Sequence, residues 1–516
     1  MNPTIPSRFA YTRLAAWLFL GAVLLAACFY NLHNYPTLWW DEAIFSETAA
    51  NLSQSGRYAM TVQSPDQFSD LDFRISVGPA VILPVALAYR LLGVGLLPGR
   101  LIAAAYLLLA FAALYLAARR LWGSTTGALA VLLALLGTDV LYWGRSVMGD
   151  VPALSFFLLG LWFLLQSLDS GPDRHLFLGG LCLGLAFTAK EFYGAAFLPP
   201  LLVLAGRTWR NPKRLIRQGA LFCLGISLPL AAYLLLKVAI LGSLSAAVGH
   251  FLDQKVLLRY EFFTPLTLGR IYPESFAYLL GHPLFWLGLS GCVWCWRRAG
   301  PSPGLTLWLA NFLLWSLIYL TAVYWHRFAL PALFLACAPG AYLLVRLYRR
   351  LSAQLISRLA QGLAGFTLGG FLFLSYPFAG LDILGTILTC KTSPAENIKA
   401  YLKTHVPPQC LIETPEYELA FLDDNHRFHL MPAFYFVESD ENRTVLLNPR
   451  PRRYDFEENS ADYLVLGSFG KSVFQEVYPP GQVAKNWRKL AQVDFYDIYI
   501  RKTLTDAASL KNVLPF

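Results

Sequence analysis

Long apolar runs separated by short polar links fill the first three quarters of the chain. Residues 13–33 form the first, and about 20 helical residues are enough to cross the hydrocarbon of a bilayer. Runs at 100–118, 124–141, 151–168, 218–241, 276–296, 303–323, 328–345 and about 359–380 repeat the pattern, and 176–189 with 194–206 read as a hairpin of two shorter ones. Residues 79–97 are apolar too, but they hold Pro79, Pro84 and Arg90 and read as a helix lying in the membrane interface. Within a first loop at 34–99, Asp41 reads as an N-cap, Glu42 to Ser55 as a short amphipathic helix stopped by Gly56, and 57–78 as polar and irregular. Beyond residue 390 the pattern changes. Ser393-Pro394-Ala395-Glu396 has the form of a capping box, and 409–413, 462–466 and 493–500 read as strands. The chain thus divides into a polytopic α-helical part, 1–390, with about eleven crossings plus interfacial helices, and a small external α/β domain, 391–516.

Composition narrows this further. With 56% hydrophobic and 14% charged residues and a mean hydropathy of +0.47, a soluble protein is excluded. The net charge of +10 comes largely from short links such as Arg119-Arg120, Arg207 to Arg217, Arg297-Arg298 and Arg346 to Arg350. Cytoplasmic links carry such an excess, so the charge reports topology and not a nucleic-acid partner. It places the N-terminus inside and residues 391–516 outside a cell membrane. Leu25-Ala26-Ala27-Cys28 imitates a lipoprotein cleavage site, yet the run opens a polytopic chain and reads as a retained span. Cys292 and Cys295 lie within an apolar run and read as small hydrophobes; pairing of Cys390 with Cys410 stays open. Asn51 and Asn442 fit the glycosylation pattern.

The ionisable residues at span ends away from the basic links are Asp41, Glu42, Arg74, Arg145, Asp150, Lys190, Glu191, His326 and Arg327. Each has a bland reading: a helix cap for Asp41, a dipole partner for Glu42, mutual pairing for Arg145 and Asp150, a solvated turn for Lys190-Glu191, a headgroup anchor for His326-Arg327. Charge near membrane depth is costly, and several such groups on one face mark a site. Transfer from a lipid-linked phosphate would use them all: a carboxylate as general base, and arginine and lysine to hold a departing phosphate.

Five short motifs in order carry a resemblance: Trp40-Asp41-Glu42 through Gly56-Arg57; Val77-Gly78-Pro79; Arg145 to Asp150; Thr188-Ala189-Lys190; and Arg327-Phe328-Ala329-Leu330-Pro331. Together they resemble the bacterial dolichyl-phosphate-mannose protein mannosyltransferases and the related aminoarabinose lipid A transferases, membrane enzymes of the GT-C fold. The chain departs from that pattern at Gly78, where many relatives carry a lysine before the proline. The resemblance implies inverting sugar transfer from a polyprenyl-phosphate donor to a lipid, glycan or protein acceptor at the external face. Asp41 would be the base and Glu42 its neighbour in the site. Arg74, Arg145, Lys190, His326 and Arg327 would contact donor phosphate or headgroup, with Asp150 as a second acid. No cofactor is implied, although Asp41, Glu42 and Asp150 are suited to a divalent cation. A secondary transporter with an external binding domain is the main alternative, but it would place polar residues near mid-span. A sensor module on an inert anchor is another, and needs far fewer spans.

Overall fold

The computed structural model describes residues 8–503 apart from 64–66, 73, 169–171, 253–272, 322–324, 355–378, 424, 431–454, 459, 473 and 476. The apolar runs fold as helices, beginning with Arg8–Phe29. Among the described residues Leu96–Trp122, Asp150–Leu168, Pro212–Leu241, Pro303–Thr321 and His326–Ser352 are each long and apolar enough to cross a membrane. Ser124–Gly137, Arg174–Ala189 and Pro79–Leu92 are shorter apolar helices. The expected straight crossing at 276–296 is instead two helices, Pro273–Gly281 and Pro283–Ala299, that meet at 62°. The break falls at His282, whose backbone is extended because Pro283 disfavours helical geometry in the residue before it. The last expected crossing, about 359–380, lies almost wholly outside the described residues.

Leu224, Leu228 and Leu235 on one helix and Leu313 and Leu317 on another are exposed, a surface suited to lipid and not to water. Leu83, Leu87 and Leu91 form the same kind of stripe along Pro79–Leu92. Where helices pack on each other they do so through small residues, as membrane helices do. A Cβ on Gly180 would lie 2.2 Å from the Phe222 carbonyl oxygen, and one on Gly225 2.2 Å from that of Phe177. Helices Arg174–Ala189 and Pro212–Leu241 therefore cross almost backbone to backbone.

Over one end of this bundle lies a sheet of seven strands among the described residues: β1 (Ala59–Gln63), β2 (Gln67–Asp70), β3 (Leu411–Thr414), β4 (Arg427–Leu430), β5 (Tyr463–Leu466), β6 (Trp487–Val493) and β7 (Tyr496–Arg501), in the order β2-β1-β4-β3-β5-β7-β6. β3 pairs in parallel with β4 and β5, and the remaining pairs are antiparallel. β5, buried along its whole length, reads Tyr-Leu-Val-Leu, as a strand covered on both faces should. Residues 57–78, expected to be irregular, contain the β1–β2 hairpin. It joins the tail's strands where Gln63 pairs with His429, so one sheet is drawn from the first loop and the tail.

Two expected caps differ. The N-cap of helix Trp40–Ser55 is Trp39, and Asp41 lies inside the first turn because its carboxylate is drawn to a cation elsewhere. Its C-cap is Gly56 as expected, at φ 73°, a left-handed geometry that glycine adopts without strain. Ser393 stands at the N-cap of helix Pro394–His405, but its hydroxyl makes no capping hydrogen bond, so the box is not formed. All eight cysteines are free, Cys390 and Cys410 among them.

The bundle and the first loop are joined by Glu42 and Arg100, both with fully buried side chains and 2.8 Å apart. Arg100→Met leaves a buried carboxylate unpaired, a loss of about 3–5 kcal/mol. Thermal unfolding of the purified protein should show a large fall in melting temperature, and Arg119→Met at the basic end should show little. In the Glu42→Gln/Arg100→Met double variant the loss should be smaller than the sum of the two single losses.

Candidate active site

Neighbours on one helical turn point about 100° apart, and the acidic pair divides accordingly. Glu42 points inward. Its Oε1 and Oε2 accept hydrogen bonds from Arg100 Nε and Nη2, each at 2.8 Å, and Oε1 also accepts the Val147 backbone N–H at 3.1 Å. Arg100 in turn donates to the Leu32 carbonyl, at the end of the first helical segment. Asp41 points across the sheet end of the bundle. Its Oδ2 accepts from Arg327 Nη1 at 2.8 Å, and its side chain keeps 15% of its exposure. Oδ1 accepts no hydrogen bond among the described residues, which leaves one oxygen for an outside group.

Aromatic rings enclose this pair. The Arg327 guanidinium lies 4.4 Å from the Trp325 ring centre and 5.5 Å from that of Trp143. Trp39 meets Trp143, Trp325 and Phe469 edge-on, the favoured contact between ring quadrupoles. Trp40 stacks on Phe469 at 5.4 Å and donates its indole N–H to the Pro415 carbonyl at 2.9 Å. Phe469 and Pro415 belong to the tail, so the tail closes over the acidic pair.

The other predicted residues lie around this centre with different duties. Lys190, buried, reaches the Ser76 hydroxyl at 3.2 Å. Gly78 packs against the helix that leads to Lys190, and a Cβ there would fall 2.2 Å from the Thr188 carbonyl oxygen. No lysine fits at position 78, and the cation beside this loop comes from position 190 instead. Asp150 opens helix Asp150–Leu168, and both its oxygens are buried without a partner among the described residues. The pairing of Arg145 with Asp150 that the sequence allows is not made. Arg145 donates to the carbonyls of Ala27, Tyr30 and Tyr35 and so holds the exit of the first helix. Arg74 binds Asp72 at 2.8 Å and the Tyr417 hydroxyl, joining loop to tail. Burial works to raise the Asp72 carboxyl, but Arg74 holds it below its usual range. Burial pushes Glu47, on the loop helix and near enough to feel the Arg74 charge, up to about 7. His326 stacks on Tyr278, ring centres 3.9 Å apart.

Residues 76–233 match the family model described as dolichyl-phosphate-mannose-protein mannosyltransferase. The structure is similar to that of ArnT from Cupriavidus metallidurans bound to undecaprenyl phosphate, with a TM-score of 0.60 at 17% identity, covering 97% of this chain and 99% of that one. It is also similar to the archaeal oligosaccharyltransferase AglB from Archaeoglobus fulgidus in complex with an inhibitory peptide and a dolichol-phosphate, with a TM-score of 0.56 at 11% identity, covering 96% of this chain and 75% of that one. The chain has the GT-C fold. A comparison with curated proteins finds no match.

Within this GT-C frame the sequence reading missed Arg100, Asp139, Tyr417 and Lys237. Arg100 is a lone cation at an apolar run's start, away from any basic link; that was the available signal. Asp139 is a lone carboxylate near the end of the run 124–141, and its Oδ2 accepts the Trp143 indole N–H at 2.8 Å. Lys237 is a lone lysine within a run; its ammonium is buried 4.0 Å from Glu191 and 3.4 Å from His250 Nδ1. Tyr417 had no local signal, because its partner lies 343 positions away. Among the described residues no three histidine, cysteine or acidic side chains gather as a metal site. Tyr417→Phe removes a hydrogen bond to a charged group and should cost about 1.5–3 kcal/mol. Limited proteolysis should then cut between the bundle and the tail faster than in the parent protein, while Tyr499→Phe on the far strand should leave the rate unchanged.

Proposed function

We propose that the protein transfers a sugar, with inversion, from a polyprenyl-phosphate donor to an acceptor hydroxyl or phosphate. The observation that carries this reading is the division of the acidic pair. Glu42 is committed to Arg100, whereas Asp41 is oriented by Arg327 and keeps one oxygen for a reactant. The fold is shared with ArnT, solved with undecaprenyl phosphate, and with AglB, solved with dolichol-phosphate.

In the proposed reaction the acceptor oxygen attacks the anomeric carbon from the face opposite the phosphate, and Asp41 Oδ1 takes the acceptor's proton. The bond from the anomeric carbon to the phosphate oxygen breaks, and its electron pair leaves with the carrier phosphate. Lys190 offsets that charge, and Arg327 keeps Asp41 aimed. Asp150, buried and without a partner among the described residues, accepts sugar hydroxyls in this reading. His326 borders the acceptor side. Arg145 and Arg74 act at one remove, by holding the first helix and the tail. The exposed leucine stripe of Pro79–Leu92 gives the polyprenyl chain an apolar track. A divalent cation would draw on Asp41 and Asp150, although no three such side chains gather among the described residues. The basic links face the cytoplasm and the sheet faces outward, so transfer occurs at the external or periplasmic surface, onto a lipid, glycan or protein.

The test is sugar transfer by the purified, lipid-reconstituted protein across a panel of polyprenyl-phosphate sugars and acceptors, with and without chelator. Asp41→Asn should lower turnover about 10²–10⁴-fold while the melting temperature holds. Turnover indifferent to Asp41 would overturn the assignment. Lys190→Met should mainly raise the donor KM, by roughly tenfold or more, as expected for loss of a charge-assisted contact worth at least 1.4 kcal/mol.

A further inference from the structure

The segment of the tail that rests on Trp40 carries two buried glutamates, Glu416 and Glu418, that no step above uses. Glu416 Oε1 accepts the backbone N–H groups of Gly467 and Gly470, both at 2.8 Å. Those two donors bracket Phe469, the ring that stacks on Trp40 and meets Trp39 edge-on. A Cβ on Gly467 would lie 2.8 Å from Glu416 Cδ, so turn and carboxyl are in direct contact. Glu418 Oε1 accepts the Tyr496 hydroxyl at 2.9 Å. Among the described residues the second oxygen of each glutamate is buried and meets no donor, and the two carboxyls stand near enough for each to act on the other's proton. Both facts are met by a single proton between them. Two neighbouring buried carboxylates cannot both stay ionised. The charge belongs on Glu416, which faces backbone donors, and the proton on Glu418.

We propose that Glu416 and Glu418 form a proton-sharing carboxyl pair that positions Phe469 over Trp39-Trp40, so that closure of the tail over Asp41 depends on that one proton. Its consequence for turnover rests on the glycosyltransferase reading; its consequence for the tail does not.

Burial, and then the charge of Glu416, raise the Glu418 carboxyl well above its ordinary range. With the turn closed Glu418 is protonated, and with the turn open it titrates near the ordinary glutamate value of about 4.3. The closed state binds the extra proton throughout that window, so closure weakens as pH rises and strengthens as pH falls. Other charged groups nearby have their own partners. From β7 come Tyr496, the hydroxyl donor, and Asp497, held by Lys471 and Lys489. Asp494 at the β6–β7 turn accepts from Asn397. From the first loop Arg74, Asp72 and Glu47 meet Tyr417, the residue between the two glutamates.

The experiment is amide hydrogen exchange, read by mass spectrometry over a peptide containing Gly467 to Gly470, on the intact reconstituted protein from pH 6 to 9 and corrected for intrinsic rates. The parent protein should open about tenfold more per pH unit, the slope for release of one proton. Glu418→Gln keeps a donor to Glu416 and an acceptor for Tyr496 but has no proton to lose, so its opening should be independent of pH. Glu416→Gln removes the neighbouring charge but leaves Glu418 buried, so its profile should level off at a lower pH than the parent's, and it serves if the first variant does not fold. Where turnover is measurable, its fall toward alkaline pH should diminish in either variant. A parent profile already flat, or the parent's profile kept in both variants, overturns the proposal. If no sugar transfer is found at all, the exchange profile still decides whether the pair exists.

Discussion

The architecture depends on one buried ion pair, Glu42 with Arg100. Both side chains are fully removed from solvent, and each carries further hydrogen bonds, to the Val147 amide and the Leu32 carbonyl. An ion pair in low dielectric repays its desolvation only with such complete satisfaction. Here completion requires four parts of the chain at once: the first helix's exit, the loop helix, the start of Leu96–Trp122 and the link before Asp150. The pair therefore sets where the loop helix sits, and with it the direction in which Asp41 points.

Adjacent carboxylates thus divide their labour. Glu42 anchors, and Asp41, one position earlier, is held among the described residues by its ion pair with Arg327 at the edge of an aromatic enclosure. A site needs both qualities: a support that does not move and a reactive group whose remaining valence is unspent. The tail adds a third element through Phe469 and Pro415, and that element is stabilised by carboxyl groups of its own.

Hydrophobic periodicity was a good guide to the helical part, because a helix in lipid must be apolar over a known length. The basic links order the span ends, and so the sequence alone groups Asp41, Arg145, Asp150, Lys190 and Arg327. Partner choice was not legible. Nothing local to Glu42 indicates Arg100, and nothing local to Arg145 indicates that it prefers three carbonyls to the nearby Asp150. The β1–β2 hairpin was hidden because its residues are polar and short-lived in pattern, and its order comes from strands supplied by the tail. The bend at His282 was legible in principle from Pro283, but the apolar run around it reads as continuous.

That shared sheet has a consequence for how the molecule is made. The hairpin that ends near Asp70 leaves the ribosome long before β4, which begins at Arg427, and at about 5–20 residues per second the interval is some tens of seconds. Through that time the edge of β1 has no partner, and Trp39 and Trp40 have no cover. The acidic pair is assembled early and enclosed last. A chain interrupted after Arg327 but before its final strands carries Asp41 and Arg327 in full, yet lacks the surface that shuts water away from them.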